Sequence, residues 1–107
     1  MQQSNGELTL KQIMTALNIK SATEENNEKM FEARRLNLSF MRLNKLNHLS
    51  LLNRLRELRL EHNALRSIPE SINLLKELDI LNLSHNKIVD GFKYLPQSLQ
   101  CLDVSFN

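Results

Sequence analysis

A chain of 107 residues with 41% hydrophobic side chains, 5% aromatics and a formal charge of +2 has room for one domain around one small core. No stretch approaches the about 18 uninterrupted apolar residues of a membrane-spanning helix, and the single cysteine, Cys101, excludes an internal disulfide. Gly6 and Gly91 are the only glycines, so there is no glycine-rich phosphate loop.

The first 32 residues stand apart from the rest. Their opening, MQQSNGELTLKQ, lacks the basic start and apolar run of a secretory signal. Leu10, Ile13, Met14 and Leu17 fall on one helical face. Thr9 with Gln12 forms a capping box ahead of them, and Ser21 with Glu24 forms a second, before a polar stretch ending in Met30 and Phe31. Two short helices are expected over 1–32. Their apolar residues, Leu10, Ile13, Met14, Leu17, Met30 and Phe31, are expected to cap the first repeat and its open edge. Docking to a partner is the competing use of the same face.

From Ala33 onward the chain repeats itself. LRELRLEHNAL (55–65) and LDILNLSHNKI (78–88) fit the phrase LxxLxLxxNxL, its last position any aliphatic residue; ARRLNLSFMRL (33–43) is a fainter copy and LQCLDVSFN (99–107) a cut-off one, and the four starts are 22, 23 and 21 residues apart. The segments RLNLS, ELRLE, ILNLS and CLDVS read as short strands, apolar at every second residue. Leu36 and Leu38, Leu58 and Leu60, Leu81 and Leu83, and Leu102 and Val104 should point inward. Stacked copies would form a parallel sheet with strands about 4.8 Å apart. Where the chain turns inward after each strand, backbone groups lose water, and an Asn amide can both donate to and accept from them. Asn63, Asn86 and Asn107 should therefore form a ladder; Met41 holds that place in the first copy.

The second half of each copy should build a back wall from Leu46, Leu49 and Leu52, then Ile68, Ile72 and Leu75, then Val89, Phe92 and Leu95. Pro69 and Pro96 sit where a missing N–H costs no ladder bond, and 71–75 is expected to make one helical turn.

A period of 21–23 residues carrying this phrase resembles the leucine-rich repeat superfamily over residues 33–107, about 70% of the chain. IPESINLLKELDILNLSHNKI (68–88) is similar to the 23-residue type of intracellular scaffold proteins, and HLSLLNRL (48–55) to the 22-residue phosphatase-regulator type. LPQSLQCLDVSFN (95–107) resembles bacterial effector repeats and receptor repeats alike, so no subfamily is singled out. The resemblance implies an α/β solenoid with short parallel strands on a concave face that holds another protein.

The outward strand positions form four columns. These are Arg35, Glu57, Ile80 and Cys101; Asn37, Arg59, Asn82 and Asp103; Ser39, Glu61, Ser84 and Ser105; and Phe40, His62, His85 and Phe106. The last is a row of four flat rings beside the Asn ladder, of a composition suited to an interface. By the resemblance, the candidate partner-binding residues are Phe40, Arg59, Glu61, His62, Asn82, His85, Asp103 and Phe106. His62 and His85 lack the third ligand that zinc normally takes, so no metal is expected. Ser105, Asp103 and His85 share a face, as such trios do by chance in a polar sheet, and neither enzyme activity nor a cofactor is expected. Residues 33–66 carry a net charge of +6, against −2 on either side. The arginines fall on several faces with no interleaved aromatics, which argues against nucleic acid. Asn37-Leu38-Ser39 and Asn82-Leu83-Ser84 match a glycosylation acceptor, but the repeat phrase itself accounts for them.

The expected function is a cytoplasmic protein-interaction scaffold. The sequence stops at Asn107, midway through a repeat, so the expectation is either the first part of a longer protein or an end covered by another molecule. The alternative function is self-assembly, in which Cys101, Leu102, Val104 and Phe106 pair with a second copy as a homodimer.

Overall fold

Each repeated phrase contributes one three-residue strand: β1 (Arg35–Asn37), β2 (Glu57–Arg59), β3 (Ile80–Asn82) and β4 (Cys101–Asp103). The computed structural model describes residues 5–20 and 24–107, so the capping box expected of Ser21 and Glu24 lies outside the described residues. The strands form a single parallel sheet in chain order, as in a leucine-rich repeat arrangement. Leu36, Leu58, Leu81 and Leu102 lie in register, flanked by Arg35, Glu57, Ile80 and Cys101 on one side and Asn37, Arg59, Asn82 and Asp103 on the other. Because side chains alternate along a strand, the leucines enter the core together and their neighbours share the opposite face.

Behind the sheet the chain returns through three 3-10 turns, Leu49–Leu51, Glu70–Leu74 and Phe92–Tyr94. The second begins directly after Pro69, one residue earlier than the pattern predicts. Leu46, Leu49, Leu52, Ile68, Ile72 and Leu75 are buried behind the strand leucines. Burying one such side chain stabilises by about 1.5–3 kcal/mol.

The third repeat departs from expectation. Val89 is 79% exposed and Phe92 also faces out. Ile88 enters the core instead, so its neighbour Val89 projects away. Gly91 then turns the chain at φ 90°, where an added Cβ would lie 2.3 Å from the Ile68 carbonyl oxygen, and Phe92 leaves on the outer side. Leu102, expected inward, is exposed because no strand among the described residues lies against the outer side of β4.

Ahead of the sheet lie α1 (Leu10–Ala16) and α2 (Glu24–Glu32). Thr9 and Gln12 cap α1 reciprocally, the Gln12 amide donating to Thr9 Oγ1 at 3.1 Å and the Thr9 amide to Gln12 Oε1 at 2.9 Å. A helical cap as such is not evident. Of the buried side chains in this region, Ile13 and Met30 are helical, while Leu8 and Ile19 lie outside the helices. Leu10, Met14 and Leu17 only border the core, and Phe31 faces out beneath the Arg54 guanidinium. The extended segment before α1 does part of the expected work. Glu7 bridges Lys45 in parallel and the Leu8 amide donates to the Lys45 carbonyl at 2.9 Å, much as Ser67 bridges Asp90 further on.

Three asparagines tie the turns together. Asn63 Oδ1 accepts from the Met41 and Leu43 amides, and its Nδ2 donates to the Leu38 and Leu60 carbonyls. Asn86 accepts from Leu65 and donates to the carbonyls of Leu60 and Leu83; Asn107 accepts from Ile88 and donates to those of Leu83 and Val104. The Leu60 and Leu83 carbonyls thus each serve two successive side chains. Asn86→Ala strands the Leu65 amide and opens a buried gap. With an unpaired buried group costing about 1–3 kcal/mol, urea denaturation is expected to show a loss of about 2–3 kcal/mol, and a smaller one for Asn107→Ala at the exposed end.

Candidate functional site

The residue two places after the second inward-facing apolar residue of each repeat turns the chain inward through the left-handed region: Phe40, His62, His85 and Phe106 have φ of 59°, 59°, 57° and 58°. This conformation costs an ordinary L-residue roughly 1–2 kcal/mol, and none of the four is Gly or Asn. Two interactions offset it. The amides of Phe40, His62 and His85 donate to the Glu61, Ser84 and Ser105 carbonyls of the next repeat at 3.1, 3.0 and 3.0 Å. The rings also stack along the row at centroid separations of 4.3, 4.1 and 4.3 Å, within 12° of parallel. Such contacts contribute about 0.5–1.5 kcal/mol between aromatic rings. Among the described residues Phe40 and Phe106 stand at either end of the row, 70% and 75% exposed.

Beside the rings, three of the four repeats close the same small turn. Asn37 Oδ1 accepts from the Ser39 amide and hydroxyl at 3.0 and 2.6 Å; Asn82 Oδ1 accepts from the Ser84 amide at 3.0 Å. Asp103 Oδ1 accepts from the Ser105 amide and hydroxyl at 3.0 and 2.6 Å. The Ser105 hydroxyl, followed by its amide, holds the Asp103 carboxyl below its ordinary range. The second repeat is the exception, with Arg59 and Glu61 in these places. Arg59 gives both Nε and Nη2 to Glu61 Oε2, and this hydrogen-bonded ion pair raises the guanidinium pKa further.

Glu61 and Ser84 were expected on the exposed face. Both are buried, because the third column sits under the inward turn rather than on the flat part of the strand. Glu61 is 5% exposed and its Oε1 has no hydrogen-bond partner. Of the candidate residues, Phe40, His62, His85 and Phe106 form one row, Arg59, Asn82 and Asp103 lie in register on adjacent strands, and Glu61 lies beneath Arg59. Among the described residues no three His, Cys, Asp or Glu side chains are grouped so as to hold a metal ion.

A pocket of about 270 Å³ that the repeat pattern does not announce lies at the start of the same face, lined by Ala16, Arg35, Leu36, Asn37, Glu57 and Arg59. The strand columns already placed Arg35, Asn37, Glu57 and Arg59 together. The approach of Ala16, which walls the pocket, has no signal in the repeat.

No protein-family model and no solved structure matches the chain. A stretch of 61 residues, 57% of the chain, is 39% identical to osteomodulin of Bos taurus, a leucine-rich repeat protein, and spans 14% of that relative's length. No helix among the described residues is long and apolar enough to cross a membrane. Osteomodulin is secreted, so the likeness lends no support to the cytoplasmic location expected from the sequence.

Two predictions follow from the turns. Arg59→Gln alone should lower the urea midpoint, because it leaves the buried Glu61 carboxylate without its cation, whereas Arg59→Asn with Glu61→Ser should restore it by installing the turn of the third repeat. In acid, the depressed Asp103 carboxyl contributes stability that is present above its unfolded pKa and lost as pH falls through its lower folded pKa. Asp103→Asn keeps the Oδ1 acceptor and is expected to show a shallower loss of stability across that acid range.

Proposed function

We propose that this chain is a protein-binding segment of the leucine-rich repeat type, a solenoid that holds a partner against its strand face and the adjoining ring row. The observation that carries this reading is the row itself. Four aligned rings, the outer two largely exposed, form a rigid surface that loses little side-chain entropy on contact, and aromatic side chains are enriched at interfaces. The likeness to osteomodulin supports the repeat type and says nothing of the partner. A non-catalytic role fits the face as well, since the Ser105 hydroxyl is committed to the Asp103 turn.

Self-association is the second reading. All three residues of β4 are exposed, and Leu102 and Phe106 offer apolar surface beside a strand edge that nothing among the described residues pairs.

One experiment separates the two. Phe40→Ala removes a ring that stacks on one neighbour only and should leave the fold intact. It is expected to lower capture of cross-linked partner protein by about tenfold, while the urea transition stays cooperative with a loss no larger than the one ring contact, about 0.5–1.5 kcal/mol, and the mass by light scattering stays as in the wild type. Unchanged capture by this variant, with a wild-type mass that doubles as concentration rises, would favour the self-associating module.

A further inference from the structure

We propose that Arg35, Asn37 and Arg59 form a receptor for a single carboxylate side chain, Asp or Glu, presented by a partner protein. This inference rests on the reading of the strand face as an interaction surface and specifies the chemistry at one end of it. The three residues line the pocket of about 270 Å³ that Ala16 closes on one side.

What each can offer is decided by bonds already made. Asn37 has its Oδ1 occupied by the Ser39 amide and hydroxyl, so only the Nδ2 hydrogens remain to give. Arg59 spends Nε and one side of Nη2 on Glu61, which fixes the guanidinium and leaves the Nη1–Nη2 edge free. That edge is the fork whose spacing matches the two oxygens of a carboxylate. Arg35 is exposed and makes no ion pair among the described residues. The pocket therefore presents donors from three side chains, with Glu57 as the one carboxylate in its lining.

Charge then selects among anions. Arg35 and Arg59 are balanced by Glu57 beside them and by Glu61 beneath, and Asp103 adds a negative group further along the row of Asn37, Arg59 and Asn82. A site with no net positive charge does not concentrate a polyanion, which binds through many unbalanced cations. It recognises one planar acceptor by geometry, and an isolated carboxylate on a protein surface meets that description. A sulfated glycan or a nucleic acid does not.

The test uses the tripeptide acetyl-Ala-Glu-Ala-amide, its Gln counterpart and a heparin hexasaccharide as probes, followed by nuclear magnetic resonance on the whole chain. The Glu peptide is expected to shift the Arg59 Nε–Hε and Asn37 side-chain amide signals saturably, with the Gln peptide about tenfold weaker. Asn37→Asp keeps the turn, since Asp103 makes the same bonds in the fourth repeat, but removes the donors. It and Arg35→Gln should each weaken the Glu peptide by about fivefold or more with an unchanged urea midpoint. Equal shifts from the Glu and Gln peptides, wild-type affinity in Asn37→Asp, or tighter binding of heparin at the same signals would each overturn the proposal. Failure of the peptide while Phe40→Ala still lowers partner capture overturns this inference alone and leaves the interaction surface standing.

Discussion

A chain that turns inward after every strand carries backbone amides and carbonyls out of reach of water, and each needs a partner there. Asn63, Asn86 and Asn107 meet that need with one side chain in each of the last three repeats, accepting from a turn in the preceding repeat and donating to strand ends of the preceding repeat and of their own. Because the Leu60 and Leu83 carbonyls are each shared by two amides, a repeat cannot slide against its neighbour without breaking bonds in both. The common register of the four strands follows from this, and so does the alignment of side chains into columns.

Alignment turns a sequence habit into a surface. A Phe or His at one position per repeat would be a scattered set of rings on a less regular scaffold; here the rings lie face to face. Regularity also makes the exception visible. Where three repeats use a side-chain oxygen to hold the next turn, the second uses a cation over a buried carboxylate, and that substitution leaves an arginine edge free in a column otherwise made of two amides and one acid.

Much of this was legible in the sequence because each position recurs in the same surroundings. The strand leucines and the facing columns follow from period-two alternation alone. The reading failed where alternation ends. Glu61 and Ser84 count as outward by parity, yet the left-handed residue that follows has already begun to carry the chain over them. Nothing in the identity of Phe40 signals a positive φ, and His62 carries only the modest enrichment that His shares with Asn and Asp in this conformation. Val89 and Phe92 were misplaced because the third repeat is shorter and turns at Gly91, so its apolar residues do not keep the spacing of the second. Leu8 went unnoticed since one leucine between Glu7 and Thr9 carries no period.

The ring row has a further consequence for shape. Its steps of 4.3, 4.1 and 4.3 Å are shorter than the about 4.8 Å between strands of a sheet, so the rings converge relative to the strands that bear them. The row is a set of spacers between successive repeats at this edge. A molecule that wedged between two rings would have to pry repeats apart, whereas one that gripped the outer faces of Phe40 and Phe106 would brace the lean already present. Contact at this edge would therefore bear on the spacing of the repeats as well as on the rings it touches.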